Sequence, residues 1–421
     1  MGVGQIIDLL IQSEKEAQEQ LWFIPSENLP SPFTRLALAT SSVNRYFFQY
    51  LYQDQRFCPG TEIYQRLYDH CVERLKQLLD AQFVSLKPLS GMVAMTMVIT
   101  AHTQKDDLFL ALAPELGGHT HTGNIADLIG RRLAYIPMCD DGQGWMDVDY
   151  DQLAEDIRRL DARLLYLDPM SYLYTFDLER LRRITPESCR LHYDISHVMA
   201  FVAGGAYPNA LHHGFHSVGG STHKTLPAVQ KAYFATNSEE LFDYFHTKAG
   251  QLISSYHTSS ILALAVTLEE TLEFYPRYAK QIIDNTLGFA EMLRQRGFTL
   301  LGRRATPSEC HVLFVNMEDL GDQVEACHRL AACNLITHPM LLPGLERKPG
   351  LRLGLQELTL LGMGPAELEQ VADVFKAVVI DRRPPEKYAA AMAELRSRFK
   401  WPVTSYQDQE RMQRLVDLLQ G

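Results

Sequence analysis

The chain has 421 residues, of which 46% are hydrophobic and 22% are charged, and this composition is typical of a globular protein with a large core. The formal net charge of −11 disfavours nucleic acid or an anionic membrane as the main partner, because both bind basic surfaces. The seven cysteines form no C-x-x-C pair, and neither a signal peptide nor a membrane-spanning apolar run is visible, so we expect reduced thiols, no metal site and a cytoplasmic location.

The first part of the chain alternates between helical and irregular patterns. The amphipathic spacing over 5–20 predicts a helix, and the proline- and serine-rich segment over 25–32 is expected to be non-helical. An aromatic and polar stretch covers 44–60. The spacing of apolar residues over 63–79 then predicts a second amphipathic helix.

From residue 83 onward, apolar strands alternate with helices. The predicted strands cover 83–86, 108–113, 163–167, 191–195 and 231–235, and the predicted helices between them cover 92–100 and 178–184. Because continuous apolar strands that alternate with helices are typical of a parallel sheet covered on both faces, the sequence predicts an α/β fold.

The last part of the chain has a different pattern. A long helix is predicted over 275–296, followed by a strand over 311–315 and helices over 366–379 and 385–398. We therefore expect an N-terminal helical arm over 1–45, a large domain over 46–280 and a smaller C-terminal domain over 281–421.

Two polar segments at the ends of predicted strands carry the chemistry. Asp194 ends an apolar strand, and Lys224 lies in a polar loop before the strand over 231–235. Groups at the carboxyl ends of strands face the ligand crevice of an α/β sheet. A pyridoxal phosphate site needs such a pair, since the lysine forms a Schiff base with the cofactor and the carboxylate pairs with its pyridine nitrogen. On spacing alone, a solvated lysine and a helix-capping aspartate explain the same residues.

Four motifs resemble those of the serine hydroxymethyltransferase family of pyridoxal-phosphate enzymes. They are Ile24-Pro25-Ser26-Glu27-Asn28, the segment from Asp194-Ile195-Ser196-His197 to Tyr207-Pro208-Asn209, Ser221-Thr222-His223-Lys224-Thr225-Leu226, and Gly350-Leu351-Arg352-Leu353-Gly354. Their order and separations match along nearly the whole chain. The resemblance implies pyridoxal 5'-phosphate as cofactor and the fold-type I, aspartate aminotransferase-like architecture, with a mostly parallel central sheet and a smaller α+β C-terminal domain. It also implies a homodimer with shared active sites.

The resemblance assigns cofactor-binding roles to individual residues. Lys224 would form the Schiff base, Asp194 would pair with the pyridine nitrogen, and His197 would bond the ring 3-hydroxyl or the substrate. Ser90 and Gly91 would hold the phosphate at a helix N-terminus. Two more residues, Ser221 and His223, would support the phosphate and the lysine.

The substrate side of the site is assigned in the same way. Arg352 would bind the α-carboxylate of an amino acid through its guanidinium fork, with a surface arginine as the alternative. Tyr46 matches the first tyrosine of the family's N-K-Y-x-E-G-Y stretch, with burial in a dimer interface as the alternative. Ser26 of the first motif is expected to join the substrate site.

The sequence departs from the family at four places. No acid follows Tyr46 until Asp54, whereas the family has a glutamate that handles protons at the substrate hydroxymethyl group. Leu116 replaces a histidine that stacks on the cofactor ring. The family's G-P-R-G-G becomes Ala228-Val229-Gln230-Lys231-Ala232, without the arginine. A glycine-rich loop that contacts the neighbouring subunit's phosphate becomes Ser255 to Ile261, where hydroxyls of Ser259 or Ser260 would replace backbone N–H groups.

These departures favour a specialised enzyme that acts on a modified L-amino acid, as in antibiotic biosynthesis, by β-elimination with C–S cleavage or by decarboxylation-coupled deamination. One alternative is a serine hydroxymethyltransferase or a threonine aldolase or transaldolase, with proton transfer by His119 or His121. The other is a non-catalytic binding protein on the same fold, which retention of Asp194 and Lys224 disfavours.

Overall fold

The computed structural model describes residues 1–47, 51–52, 55–56, 60–344 and 346–420, with the backbone alone for 51–52 and 55–56. The chain forms two compact units. The C-terminal unit comprises Met1–Pro25, Gln143–Trp145 and Gln281–Val403, and the large unit comprises Ser26–Gly142, Met146–Lys280 and Thr404–Gly421. The domain limits expected from the sequence stay a prediction.

The α-helices of the described residues are α1 Val3–Glu19, α2 Pro32–Leu38, α3 Glu62–Leu79, α4 Gly91–His102, α5 Thr122–Leu128, α6 Tyr150–Arg159, α7 Leu178–Ile184, α8 Met199–Ala203, α9 Glu239–Leu252, α10 Thr258–Thr271, α11 Tyr275–Gln295, α12 Gln323–Ala331, α13 Gln356–Leu360, α14 Pro365–Phe375, α15 Glu386–Ser397 and α16 Gln409–Gln420. Among the described residues, no helix is both long enough and apolar enough to cross a bilayer.

The strands are β1 Leu21–Trp22, β2 Leu51–Tyr52, β3 Gln55–Arg56, β4 Phe83–Ser85, β5 Leu108–Ala111, β6 Arg132–Tyr135, β7 Met138–Asp140, β8 Met146–Val148, β9 Leu164–Leu167, β10 Arg190–Asp194, β11 Ser217–Ser221, β12 Ala232–Thr236, β13 Thr299–Leu300, β14 Val312–Asn316, β15 Leu335–Ile336, β16 His338–Leu341 and β17 Pro349–Gly354. The predicted α/β class is confirmed, and most predicted elements recur with ends shifted by one to a few residues.

The large unit is built on a seven-stranded sheet within the described residues, in the order β4-β12-β11-β10-β9-β5-β6. The strands from β11 to β6 pair in parallel, but β12 pairs antiparallel with both β11 and β4. The strand predicted over 231–235 is present as β12, and the sheet is mostly parallel, as the resemblance implied. Only a loop over 222–231 joins β11 to β12, and a parallel pair would need a crossover of a dozen or more residues.

Burial explains why α4 is apolar on every side. Its side chains pack between the sheet and α9, and Met97, Val98 and Ile99 are almost completely buried. A helix enclosed in this way needs no polar face. The packing fixes the position of the N-terminus of α4, where the sequence places the phosphate site.

The C-terminal unit contains a four-stranded antiparallel sheet in the order β13-β14-β17-β16. The apolar faces of α11, α12, α14 and α15 share one core with this sheet, centred on residues such as Phe289, Leu313 and Phe375. Within this core the ring of Phe23 lies 5.6 Å from that of Phe375, so the first 25 residues are anchored in this unit.

Candidate active site

Asp194 lies at the carboxyl edge of the central sheet. It ends β10, which pairs in parallel with β11 so that Asp194 lies opposite Gly219. Its carboxylate accepts hydrogen bonds from the backbone N–H of Ser196, at 2.9 Å, and from the hydroxyl of Tyr166, at 3.2 Å. Two donors on adjacent elements thus hold the carboxylate in one orientation at the sheet edge.

The two glycines of β11 allow the backbone of neighbouring segments to approach closely. A Cβ on Gly220 would lie 2.7 Å from the backbone N of Ser196, and a Cβ on Gly219 would lie 2.8 Å from the carbonyl oxygen of Tyr233. The close approach lets the Ser196 hydroxyl accept a hydrogen bond from the backbone N–H of Ser221 at 2.8 Å. The end of β11 and the turn after β10 are therefore locked together.

A buried layer of aromatic and imidazole rings lies behind Asp194. The ring of Tyr166 stacks on His192 with centroids 5.0 Å apart and an interplanar angle of 10°. Ser217 Oγ lies 2.8 Å from His192 Nδ1 and 2.8 Å from His102 Nε2. Burial lowers the pKa of His192 to about 4 and raises that of Tyr166, which the negative charge of Asp194 raises further. Both rings are therefore neutral at pH 7.

The first turn of α4 lies beside the end of β11, and the two together are called the cradle. Ser90 is the N-cap of α4, and its hydroxyl accepts a hydrogen bond from the backbone N–H of Val93 at 3.4 Å. A Cβ on Gly91 would lie 3.4 Å from Cβ of Ser221. The Ser221 hydroxyl is buried and has no hydrogen-bond partner within the described residues. Free N–H groups at a helix N-terminus beside such a hydroxyl fit a phosphate group.

Lys224 lies in the loop after β11, and its backbone is fixed by Asn28. The Asn28 amide donates hydrogen bonds to the carbonyl oxygen of Lys224, at 2.7 Å, and to the hydroxyl of Tyr278, at 3.0 Å. Its amide oxygen accepts a hydrogen bond from the backbone N–H of Leu29 at 3.0 Å. Asn28 thus joins the first motif to the lysine loop across 196 positions of sequence. Asn28 belongs to the first sequence motif, from which only Ser26, a half-buried residue, is predicted to join the site.

Two histidines flank the aspartate and the lysine. His197 follows Asp194 by three residues and is buried. His223 precedes Lys224, and burial, together with the lysine's charge, lowers the pKa of His223 to about 4. His223 is therefore neutral at pH 7 and can donate or accept one hydrogen bond without adding charge.

The residues over 45–47 lie beside the start of α10. The hydroxyl of Thr258 donates a hydrogen bond to the carbonyl oxygen of Arg45 at 2.7 Å. Next to these residues, the side chain of Tyr46 is 68% exposed, while Ser259 in the first turn of α10 is buried and its hydroxyl has no hydrogen-bond partner among the described residues. Phe48, Gln49, Tyr50 and Asp54, on which the missing-glutamate argument depends, lie outside the described residues.

The loop that carries Leu116 is held against the sheet edge. A Cβ on Gly118 would overlap the carbonyl of Leu112, so only glycine fits there. Asp168 accepts hydrogen bonds from the hydroxyl of Thr122, at 2.5 Å, and from the backbone N–H of Leu112, at 3.2 Å. Burial raises the pKa of Asp168 well above its ordinary value. Leu116 itself is half-buried.

Arg352 belongs to the C-terminal unit. It lies on β17 with Phe314 and His338 as its neighbours on the two flanking strands. The side chain is buried, and this burial lowers the pKa of its guanidinium to about 10, partly offset by Cys310. Even so, the group stays charged at pH 7 on a rigid strand.

The large unit thus contains groups that fit pyridoxal phosphate: a lysine, a carboxylate at a neighbouring strand end, and a helix N-terminus beside a buried hydroxyl. A family model described as serine hydroxymethyltransferase matches residues 3–375 of the chain. The chain belongs to the serine hydroxymethyltransferase family.

Individual relatives agree with the family match. The chain is 30% identical to a serine hydroxymethyltransferase of Methanopyrus kandleri, over 90% of the chain and 89% of that protein. It is 28% identical to one of Korarchaeum cryptofilum, over 94% and 95%. It is 29% identical to an L-threonine:uridine-5'-aldehyde transaldolase of a Streptomyces species, over 97% and 95%.

A solved structure shows the same fold. The crystal structure of L-threonine transaldolase from Pseudomonas fluorescens in the internal aldimine state superposes with a TM-score of 0.92 and 25% identity, covering 100% of this chain and 98% of that one. The protein is thus a fold-type I enzyme that uses pyridoxal phosphate to act on amino acids, as the resemblance implied.

Proposed function

We propose that Lys224 binds the aldehyde of pyridoxal phosphate and that Asp194 binds its pyridine nitrogen. When it is bound, this cofactor supplies an electron sink for bonds at Cα of an amino acid. The observation that carries the proposal is the parallel pairing of β10 with β11, which sets Asp194 opposite Gly219 and brings Lys224 to the same sheet edge. Tyr166 and Ser196 hold the carboxylate, and Asn28 holds the lysine loop.

The phosphate of the cofactor is assigned to the cradle at the start of α4. Ser90 and Gly91 present the helix N-terminus, and Ser221 supplies a hydroxyl that has no other hydrogen-bond partner among the described residues. His223, which is neutral at pH 7, would add one N–H donor. Ser259 is proposed to serve the cradle of a partner subunit, since its buried hydroxyl is also left without a hydrogen-bond partner in the described part of the chain.

The substrate is proposed to be an L-amino acid. Arg352 would bind its carboxylate, because a buried guanidinium presents a planar fork that matches a carboxylate. His197, Ser26 and Tyr46 are assigned to the substrate side of the ring, and the family motifs in which they lie support this assignment.

The reaction we propose is an aldol-type transfer, in which a β-hydroxy amino acid such as L-threonine gives up its side-chain aldehyde and a second aldehyde takes its place. The Cα–Cβ bond breaks as the β-hydroxyl loses its proton, and the new bond forms as the acceptor oxygen gains one. Two relatives that cover nearly all of the chain bear the name transaldolase, and this supports the proposal.

His119 and His121 are the groups we propose for this proton transfer. His119 Nδ1 accepts a hydrogen bond from the backbone N–H of His121 at 3.3 Å, and their ring centroids lie 5.7 Å apart. The loop that bears them is fixed by the hydrogen bond from Thr122 to Asp168. A fixed imidazole is a suitable general base at neutral pH.

One sequence observation favours a second reaction. The stretch Tyr46-Phe47-Phe48-Gln49-Tyr50 has no carboxylate to receive a proton from a β-hydroxyl. A β-elimination that cleaves a C–S bond, or a decarboxylation-coupled deamination, needs no such group. These reactions remain the competing assignment for a modified amino acid in specialised, antibiotic-type biosynthesis.

A homodimer in a reducing compartment completes the proposal. Helix α1 exposes an apolar stripe that includes Ile6, Ile7 and Leu10, each about half exposed, and such a stripe fits a partner subunit. The described cysteines are free thiols, which agrees with the expected cytoplasmic location.

A substrate comparison tests the reaction. The purified holoenzyme is incubated with L-threonine and a panel of aldehydes, with L-serine and tetrahydrofolate, and with S-alkyl-L-cysteines, and the products are identified by mass spectrometry. We expect acetaldehyde and a new β-hydroxy amino acid from the first mixture. Folate-dependent glycine from serine, or pyruvate and a thiol from the cysteine conjugates, in the absence of transfer would refute the transaldolase assignment.

Replacing the two histidines tests the proton transfer. His119→Gln and His121→Gln should each lower the transfer rate while leaving the visible absorbance of the bound cofactor intact, since neither residue is assigned to cofactor binding. His212→Gln, which alters an exposed histidine paired with Asp80, is the matched control. Full activity in both variants would refute the role of His119 and His121 in proton transfer.

A further inference from the structure

Lys231 is a fully buried lysine beside the cradle. The sequence shows it only as part of a segment that has lost the family's arginine. Its ammonium donates hydrogen bonds to the carbonyl oxygens of Tyr256, at 2.9 Å, and Pro88, at 3.3 Å. The side chain is 0% exposed, and no carboxylate of the described residues lies within ion-pair distance. Burial lowers the pKa of Lys231 to about 7, because the charged form is costly without a counter-charge, and an anion bound nearby would stabilise that form.

The backbone of Lys231 also borders the cradle. Its carbonyl oxygen accepts a hydrogen bond from the backbone N–H of Thr222 at 3.0 Å, and the next residue, Ala232, pairs with Ser221 in the sheet. Lys231 is thus connected through its backbone to the strand end that carries the Ser221 hydroxyl. Through its side chain it is connected to Pro88, two residues before Ser90.

The second carbonyl partner extends this arrangement to another helix. Tyr256 lies two residues before α10, whose first turn contains Ser259. One ammonium therefore fixes the two loops that lead into α4 and α10. A lysine ammonium has three N–H donors, and these two carbonyls use two of them.

Among the described residues, no acidic side chain forms an ion pair with Lys231. The thiol of Cys71 of α3 acts electrostatically on Lys231, but burial raises the pKa of this thiol to about 12, so the thiol is uncharged at pH 7. Lys87 lies with its Nζ 5.5 Å from the ring centroid of Tyr256 and adds a second positive charge to the same neighbourhood. The surroundings of Lys231 therefore favour a bound anion.

We propose that Lys231 is a positioning residue for the phosphate of the cofactor: it fixes the loops that precede α4 and α10, and its charge complements the phosphate held at Ser90, Gly91 and Ser221. The inference rests on the proposed cofactor site. Lys231 lies outside the lysine motif, and in this role it selects for the phosphate and supplies the positive charge of the lost arginine.

The test compares binding of pyridoxal phosphate with binding of pyridoxal, which lacks the phosphate. Dissociation constants of the full-length apoprotein are measured for both compounds by protein fluorescence in phosphate-free buffer. The variants are Lys231→Met, which removes the charge, and Lys231→Arg, which keeps it. Lys105→Met is the matched control, since exposed Lys105 precedes β5 and so lies at the opposite, amino edge of the sheet.

For Lys231→Met we expect the preference for pyridoxal phosphate over pyridoxal to fall about 10- to 100-fold, as loss of a charge-assisted interaction implies. Lys231→Arg and Lys105→Met should keep most of the preference. If Lys231 has only a structural role, its replacement should weaken the binding of both compounds equally. An unchanged ratio of the two dissociation constants would therefore overturn the inference. If Lys231→Met does not fold, loss of the preference in Lys231→Gln and its retention in Lys231→Arg decide the same question.

The wild-type protein separates this inference from the proposed cofactor site. If it binds both compounds equally, the phosphate cradle is wrong and the role of Lys231 is wrong with it. If the wild type prefers pyridoxal phosphate and Lys231→Met keeps that preference, only the inference about Lys231 is refuted.

Discussion

Asn28→Ala removes the side chain that fixes the backbone of Lys224. The change deletes a donor 2.7 Å from the Lys224 carbonyl oxygen and 3.0 Å from the Tyr278 hydroxyl, both in a half-buried region. Leaving a carbonyl of this kind without its partner costs about 1–3 kcal/mol. If this cost falls on the cofactor-bound state, the dissociation constant of pyridoxal phosphate rises about 5- to 150-fold.

The assay follows the visible absorbance of the bound cofactor during titration of the apoprotein, together with urea unfolding of the same samples. Tyr278→Phe is the matched control, because it removes the second partner of Asn28 and leaves the bond to Lys224 in place. We expect a small effect in Tyr278→Phe and a large one in Asn28→Ala. Wild-type affinity and stability in Asn28→Ala would refute the claim that this contact positions the lysine.

Three further changes test other parts of the account. Tyr166→Phe removes one of the two donors to Asp194 and should lower the free energy of unfolding by about 1.5–3 kcal/mol and weaken cofactor retention; unchanged retention contradicts this. Gly220→Ala places a Cβ against the backbone N of Ser196 and should cost about 1–3 kcal/mol in urea unfolding, whereas wild-type stability would show that the turn yields. Burial lowers the pKa of His192 to about 4, so below about pH 6.5 the unfolded chain takes up a proton that the folded protein does not. The free energy of unfolding should therefore fall between about pH 6.5 and pH 4. A free energy of unfolding that stays constant over this range would argue against a buried, neutral His192 ring.

Local pattern was sufficient to predict much of the fold. The predicted helix over 178–184 coincides with α7. The strand that ends at Asp194 is predictable because a run of apolar residues is typical of a buried strand. The orientation of β12 could not be predicted in this way. Antiparallel pairing follows from the short connection and the partner strand, and neither is visible in the composition of residues 231–235.

The candidate site likewise contains residues that the sequence predicts and residues that only the tertiary structure reveals. Asp194 and Lys224 could be selected because each stands in a short motif at a predicted strand end. The contact of Asn28 with Lys224 spans 196 positions, and only tertiary structure brings them together. In the sequence, Lys231 is only part of a segment that departs from a family motif, because the sequence does not show that this lysine is fully buried between two carbonyls.

The central claim is that Lys224 is the lysine that binds pyridoxal phosphate. Reduction of the holoenzyme with borohydride, followed by proteolysis and mass spectrometry, identifies the lysine to which the cofactor is attached. We expect the pyridoxyl label on the peptide that contains Lys224 and its loss in Lys224→Ala. A label on Lys231 or Lys87, or no label on an enzyme that keeps its visible absorbance, would contradict it.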